Sequence, residues 1–247
     1  MQSKPTLALL HGWGMNPRVF DTLYTQLQND CTLLPLVLPG HGGTCALADN
    51  NLTTWVAHIT QQLPLQSILL GWSLGGQIAL RVALDYRERI SRLILMSTTP
   101  KFVSSSDWQA GISHEDLQTF GADMQHDTRA TLLRFLSLQT RGATAQKDIL
   151  QKLRASLFSQ ALPNAQALQA GLAMLMHTDL RVAVTEITQP TTIIHGSLDK
   201  LTPPAAGDWL AKALPDAKYN VIEGAAHAPF LSHTQRVAAT IREALHD

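Results

Sequence analysis

The chain has 247 residues, of which 45% are hydrophobic and 15% charged, and its 19 basic and 19 acidic residues give no net charge. This balance argues against a nucleic-acid-binding protein that works by bulk charge, and the low charged fraction argues against disorder. The chain contains two cysteines, Cys31 and Cys45. They are too few for a disulfide scaffold and are not spaced as in a zinc site, so we expect reduced thiols and no metal.

Short apolar runs alternate with longer helical patterns, which is typical of a mostly parallel sheet flanked by helices, an α/β fold. The predicted strands are Thr6–Leu10, Thr32–Leu38, Ser67–Leu70, Ile90–Met96, Thr191–His195 and Lys218–Ile222. The predicted helices between and after them are Asn16–Gln28, Asn51–Gln62, Leu74–Tyr86, Pro204–Ala213 and His233–Leu245.

Residues 99–184 break this alternation, because helical periodicity dominates there and no convincing strand occurs. We expect residues 1–98 and 185–247 to form the core of a single structural unit, and residues 99–184 to form a helical cap, or lid, over the carboxyl edge of the sheet. One helix of the lid has two distinct faces. Leu132, Phe135, Leu136 and Gln139 share one face, and Arg134 and Arg141 lie on the opposite one.

No targeting or membrane segment is evident. The N-terminal residues lead directly into an apolar run that is shorter than the core of a signal peptide. The most apolar window, Ser67–Leu84, contains several glycines together with Gln77 and Arg81, which a membrane-spanning helix would rarely tolerate. The sequence therefore predicts a soluble, cytoplasmic protein.

The strongest motif is Gly71-Trp72-Ser73-Leu74-Gly75-Gly76, between a predicted strand and a predicted helix. A strand that turns sharply into a helix holds its apex residue in a strained conformation, and small residues on either side let the backbones pass closely. The Ser73 hydroxyl would project above the sheet at a helix N-terminus, whose partial positive charge favours the anion formed during attack. We predict that Ser73 is a nucleophile rather than a structural turn serine.

A serine nucleophile needs a general base and an acid that orients it. His227 lies in a small-residue loop after the last predicted strand, where the third member falls in the order Ser, acid, His. Asp199, just beyond a strand end, is the predicted acid. Glu223 also follows a strand but stands only four residues before His227, and Asp179 falls in the helical block.

Two backbone N–H groups about 3 Å from the developing negative charge would complete such a site. We expect one from Leu74, directly after the nucleophile, and the other from Trp13 in the loop His11-Gly12-Trp13-Gly14, where glycines allow an unusual backbone path. His11 is expected to brace this loop. No dinucleotide fingerprint, phosphate-binding loop or metalloprotease motif occurs, so no cofactor is expected.

These motifs, in this order and spacing, resemble those of α/β-hydrolases over essentially the whole chain. More narrowly, the chain resembles the pimeloyl-acyl-carrier-protein methyl ester esterase family of biotin synthesis. The matching stretches are residues 9–14, 70–76, 134–140 and 225–230. The third, Arg-Phe-Leu-Ser-Leu-Gln-Thr, is the most specific, because lids otherwise diverge freely.

The resemblance implies an α/β-hydrolase fold with an inserted lid, and a serine carboxylesterase that releases methanol from the methyl ester of pimeloyl-acyl-carrier protein. It implies that basic residues of the lid receive the acidic carrier protein. The pocket residues that it implies are Trp13, Ser73, Leu74, Phe135, Leu136, Ser137, Leu138, Gln139 and His227.

The charge pattern supports carrier docking independently. Residues 129–154 contain six basic residues and one acidic residue, a local charge of +5 in a neutral protein. A solvated helix face is the alternative interpretation; a docking surface would speed encounter more than it tightens binding. We expect a monomer whose docking residues are Arg134, Arg141, Lys147, Lys152 and Arg154.

Other activities remain open from the residues alone. A generalist short-chain carboxylesterase, a C–C bond hydrolase, a lactonase or an aminopeptidase would use the same three side chains. A dehalogenase is disfavoured because it would carry Asp in place of Ser73. A non-catalytic binding module would be expected to lack one of the three residues.

Overall fold

The computed structural model describes residues 4–246, which are built around one six-stranded sheet. The strands are β1 (Thr6–Leu10), β2 (Thr32–Leu36), β3 (Ser67–Trp72), β4 (Ile90–Met96), β5 (Thr191–Gly196) and β6 (Ala217–Ile222). All neighbouring strands are parallel, in the order β2-β1-β3-β4-β5-β6. Strands β3 and β5 are buried along their whole length, as continuous apolar runs in a helix-covered parallel sheet should be. The α/β fold predicted from the sequence is confirmed.

Ten α-helices accompany the sheet in the described part of the chain. They are α1 (Asp21–Leu27), α2 (Leu52–Gln61), α3 (Leu74–Asp85), α4 (His114–His126), α5 (Thr128–Gln139), α6 (Gln146–Phe158), α7 (Ala165–His177), α8 (Pro204–Ala213), α9 (Pro229–Ser232) and α10 (Thr234–His246). Short 3₁₀ helices span Pro17–Phe20, Arg87–Arg89 and Ala183–Glu186. No helix among residues 4–246 is long and apolar enough to cross a membrane.

Several predicted bounds shift by one or two residues; the strand predicted over Ser67–Leu70, for example, continues to Trp72. Two further differences have clear local reasons. The strand predicted to reach Leu38 ends at Leu36, and the Leu38 N–H instead donates to His11 Nε2 at 3.2 Å. The helix predicted over Asn16–Gln28 begins as a 3₁₀ turn. There the Asn16 side chain accepts from the Arg18 N–H, and a proline occupies the first position.

The chain between β4 and β5 contains α4 to α7 and, among the described residues, forms isolated β-bridges rather than strands. On α5 the predicted apolar face is buried and Arg134 on the opposite side is exposed. Arg141, which was predicted to share that helix face, lies instead in the turn after α5, where it is also exposed, because the helix ends at Gln139. The predicted lid boundary at residue 184 falls inside the 3₁₀ helix Ala183–Glu186. We call residues 99–184 the insertion.

Candidate active site

Ser73 occupies the turn between β3 and α3 with φ 58° and ψ −120°, a conformation that side chains rarely adopt. The turn is possible because its neighbours are glycines. A Cβ on Gly71 would lie 2.4 Å from the Gly75 carbonyl oxygen, and a Cβ on Gly75 would lie 2.5 Å from the Leu10 carbonyl oxygen. The sharp elbow predicted from the sequence is therefore present, with Ser73 at its apex.

Ser73, His227 and Asp199 follow the carboxyl ends of β3, β6 and β5, and the parallel sheet brings them together. Ser73 Oγ lies 2.9 Å from His227 Nε2, and His227 Nδ1 lies 2.8 Å from Asp199 Oδ2. Because a carboxylate only accepts, Nδ1 carries the proton and Nε2 is free to accept from the serine hydroxyl. All three side chains are buried. The arrangement suits transfer of a proton from Ser73 to His227.

Asp199 is the only one of the three acidic candidates that contacts His227. Burial raises the pKa of Asp199, but the charge and hydrogen bond of His227 oppose this, and the net effect lowers it. Glu223 is exposed. Asp179 forms ion pairs with Lys101 and Arg181, and its hydrogen bond with Arg181 lowers its pKa to about 2.

The loop after β1 carries the Trp13 N–H, and α3 begins with the Leu74 N–H. Neither group donates a hydrogen bond to another backbone or side-chain acceptor in the described part of the chain. The Trp13 indole Nε1–H donates to the Leu168 carbonyl of α7 at 2.8 Å. The loop thus offers an unpaired backbone donor while its side chain is tied to the insertion.

Two buried histidines hold this loop, and sequence reasoning anticipated only one. His11 donates from Nδ1 to the Gly12 carbonyl and accepts at Nε2, whereas His41 donates from Nδ1 to the Pro39 carbonyl and accepts from the Gly14 N–H. Burial lowers the pKa of His11 to about 3 and that of His41 to about 4, so both are neutral. The signal for His41 is only its setting among glycines and a proline.

A cavity of about 550 Å³ opens beside this loop. Its inner wall is aromatic: Trp13 packs edge-on against Phe120 and Phe135, with ring centroids 5.5 and 5.0 Å away. Apolar residues of the insertion and of the 201 region complete the wall, and charged side chains also border it. Its lining includes Trp13, Phe102, Ile112, Leu117, Phe120, Phe135, Leu138, Leu172, Leu175, Leu201, Glu115, Asp116, Arg134, Arg141 and Lys200.

The predicted pocket residues fall into three groups. Trp13, Phe135 and Leu138 line the cavity. Leu136 and Gln139 are buried outside its lining, and the Gln139 carbonyl accepts from the His227 N–H at 3.2 Å. The remaining residues lie outside the lining as well: Ser137 is exposed, whereas Ser73, Leu74 and His227 are buried.

The five predicted docking residues are all exposed. Arg134 pairs with Asp123 and lies over the Phe120 ring, while Lys152 donates to the Leu231 carbonyl at 3.2 Å. Arg141, Lys147 and Arg154 form no ion pair within residues 4–246. These three cations therefore face solvent without a fixed partner in the described part of the chain.

The described residues contain no cluster of three or more His, Cys, Asp or Glu side chains placed to hold a metal ion. The arrangement around Ser73 consists instead of hydrogen-bonded protein groups.

Comparison with known proteins places residues 5–234 in the α/β-hydrolase fold. Curated relatives include pimeloyl-[acyl-carrier protein] methyl ester esterases from Aromatoleum aromaticum and Nitrosomonas europaea. Each is 38% identical; the first match covers 98% of both chains, and the second covers 94% of this chain and 92% of the relative.

Solved structures share the fold at lower identity. An esterase from Exiguobacterium antarcticum superposes with a TM-score of 0.88 at 22% identity, covering 100% of this chain and 94% of that one. The enol-lactonase from Burkholderia xenovorans gives 0.83 at 18% identity, covering 100% and 93%. Likenesses at this identity establish the architecture and leave the substrate to other arguments.

Proposed function

The chain belongs to the α/β-hydrolase family and, within it, to the pimeloyl-[acyl-carrier protein] methyl ester esterases, and on this premise we propose that it hydrolyses the methyl ester of a pimeloyl group carried by an acyl-carrier protein. The observation that carries the proposal is the hydrogen-bonded series Ser73, His227 and Asp199 at the carboxyl edge of the sheet. Matching relatives with this activity supply the substrate class.

In the first half of the reaction, Ser73 Oγ attacks the ester carbonyl carbon while His227 Nε2 takes the hydroxyl proton. The buried Asp199 carboxylate stabilises the imidazolium that results. The carbonyl oxygen becomes an oxyanion held by the N–H groups of Trp13 and Leu74, which are available because they donate to no other acceptor among residues 4–246. When the tetrahedral intermediate collapses, the C–O bond to methoxide breaks and His227 returns the proton, so methanol leaves.

In the second half, His227 removes a proton from water, and the hydroxide attacks the acyl carbon bound to Ser73. The same two N–H groups hold the second oxyanion. Collapse breaks the bond to Ser73 Oγ, which regains its proton from His227, and the free carboxylic acid departs. The cycle thus needs no metal or redox partner.

The apolar cavity would receive the acyl chain. Its volume lies within the range of small-molecule sites, and its aromatic wall buries methylene groups favourably. Trp13 lines the cavity and also belongs to the loop of residues 11–14, which we call the oxyanion loop. A chain threaded along this wall would therefore deliver its distal methyl ester toward Ser73. The thioester to the carrier would stay outside. We propose that the insertion acts as the lid over this site.

The exposed cations of the insertion would receive the acidic carrier. Arg141 borders the cavity, and Lys147 and Arg154 are exposed without ion pairs in the described residues. Arg134 and Lys152 extend the same basic stretch. Charge complementarity at such a rim accelerates encounter and is screened by salt.

The test compares kcat/KM for pimeloyl-carrier-protein methyl ester with that for p-nitrophenyl butyrate, with Ser73→Ala as the blank. We expect a strong preference for the carrier-linked ester at low salt that added salt erodes. Ser73→Ala should lower kcat by about 10⁴-fold or more while the protein stays folded. Activity on the small ester alone would discard the carrier-linked substrate, and a Ser73→Ala protein with a tenth of the activity would refute the nucleophile.

A further inference from the structure

Asp199 accepts hydrogen bonds from other groups in addition to His227. Its Oδ1 accepts from the backbone N–H groups of Leu201 at 2.9 Å and Thr202 at 3.0 Å. Its Oδ2 accepts from His227 Nδ1 at 2.8 Å and from the Thr202 hydroxyl, also at 2.8 Å. Four donors thus fix both oxygens of a buried carboxylate, and Thr202 supplies two of them.

The Thr202 hydroxyl lies at the centre of this arrangement. It is buried, 3.3 Å from His227 Nδ1 and 3.4 Å from His195 Nε2 in addition to its contact with Asp199. Because the carboxylate only accepts, the hydroxyl proton points at Oδ2, the same oxygen that faces His227. The hydroxyl therefore restricts rotation of the carboxylate and shares its negative charge.

His195 holds Thr202 from behind. Its Nε2 lies 2.6 Å from the Thr202 carbonyl, which fixes the proton on Nε2, and 3.6 Å from Asp199 Oδ2. Its Nδ1 is buried and has no hydrogen-bond partner among the described residues, and a Cβ on Gly207 would lie 2.6 Å from that atom. One nitrogen of the His195 ring thus stays unpaired, while the other donates to the Thr202 carbonyl.

We infer that Thr202, backed by His195, is a positioning residue for ester hydrolysis that keeps the Asp199 carboxylate aligned with the imidazole of His227. This inference rests on the proposed function. The titratable groups facing Asp199 are His195 on β5, Tyr219 on β6 and His227 in the loop after β6. Burial lowers the pKa of His195, so this ring faces Asp199 in its neutral form.

The experiment measures the pH dependence of p-nitrophenyl butyrate hydrolysis by wild type, Thr202→Val and Thr202→Ser. Thr202→Val removes the hydroxyl at nearly constant volume, and loss of one hydrogen bond to a charged group should lower kcat about 10- to 100-fold with little change in KM. The acid limb of the kcat/KM profile should move to higher pH, because the carboxylate without this donor concentrates more negative charge on the oxygen that faces the imidazole. Thr202→Ser should restore both values.

Thr60→Val is the matched control, because Thr60 is a buried threonine of α2 whose hydroxyl donates to the Val56 carbonyl. It should leave kcat and the pH profile unchanged. If Thr202→Val does not fold, Thr202→Ala, which needs no extra space, carries the same test. A Ser73-dependent activity with an unchanged profile in the hydroxyl-free variant would overturn this inference alone. Absence of Ser73-dependent ester hydrolysis in the wild type would instead refute the proposed function.

Discussion

Asp199 at the carboxyl edge of the sheet and Arg134 on the insertion are both charged, but their surroundings differ. Asp199 is 2% exposed and accepts four hydrogen bonds from fixed donors. Arg134 pairs with Asp123, and both side chains remain substantially exposed. Removing a buried partner costs far more than breaking an exposed ion pair. The sheet edge therefore fixes the Asp199 carboxylate in one geometry, whereas the exposed Arg134–Asp123 pair on the insertion is screened by solvent and holds its two side chains only weakly.

The Asp199→Asn substitution tests the buried charge of this comparison, and we expect it to have the largest effect. An asparagine amide has only one accepting oxygen, so it cannot accept from His227 and from all the other donors to Asp199. The imidazole of His227 would then lose both the acceptor that keeps its proton on Nδ1 and the negative charge beside it. We expect kcat to fall about 10³- to 10⁴-fold. Glu223→Gln, on an exposed side chain, is the control and should be near wild type in the same steady-state assay. The reverse ranking would identify Glu223 as the acid.

Gly171→Ala tests whether the two regions are independent. A Cβ on Gly171 of α7 would lie 2.7 Å from Trp13 Cδ1 and 3.2 Å from Leu74 Cδ2, so it would push on the side chains of both residues that we propose as oxyanion donors. We expect kcat for a small soluble ester to fall about 10- to 100-fold, as for partial loss of one donor. Gly121→Ala, whose Cβ would meet only a terminal methyl of Leu172, is the control. Equal activity of the two variants would show that the insertion and the oxyanion loop are uncoupled.

Acid should weaken the loop that His11 and His41 hold. Their folded pKa values of about 3 and about 4 lie below an unfolded value near 6.5, so the unfolded chain binds more protons between these limits. The contribution of these two neutral histidines to the free energy of unfolding is therefore present above about pH 6.5 and is lost progressively as the pH falls below that value. Lowering the pH from 7.5 to 5 should cost about 2 kcal/mol for each histidine in the free energy of unfolding.

Urea unfolding at the two pH values measures this loss. His41→Gln should reduce the pH dependence by its own share, and His126→Gln, on an exposed position of α4, is the control substitution. An unfolding free energy that does not vary between pH 7.5 and 5 would contradict the neutral, buried state of these rings.

Charge reversal on the insertion should have the smallest effect, and only on carrier-linked substrate. The double variant Lys147→Glu, Arg154→Glu should lower kcat/KM for that substrate about five- to tenfold at low salt and leave p-nitrophenyl butyrate hydrolysis unchanged. The exposed pair Arg87→Glu, Lys212→Glu lies outside the insertion and removes the same amount of positive charge, so it controls for net charge, although these two residues pair with Glu186 and Asp208. Equal losses on both substrates would argue against docking at this surface.

The sequence predicted features that depend on local pattern. The β1 and β4 strands and helix α8 have the predicted bounds, and the Ser73 elbow was evident because glycine spacing and flanking elements are encoded within a few residues. The hydroxyl contacts of Thr202 and the indole contact of Trp13 with Leu168 were not predicted from the sequence. The latter pair is 155 positions apart, and such contacts depend on how helices settle on the sheet rather than on any short motif.

The positive φ of Ser73 has a consequence for the evolution and engineering of this protein. A residue with a side chain in this backbone region stores about 1–3 kcal/mol of strain, which glycine would relieve. Selection for thermal robustness alone would therefore favour Ser73→Gly, a more stable protein that lacks the hydroxyl proposed as the nucleophile. Because stability and the proposed chemistry make opposite demands on this position, directed evolution for heat resistance must screen for turnover at every round.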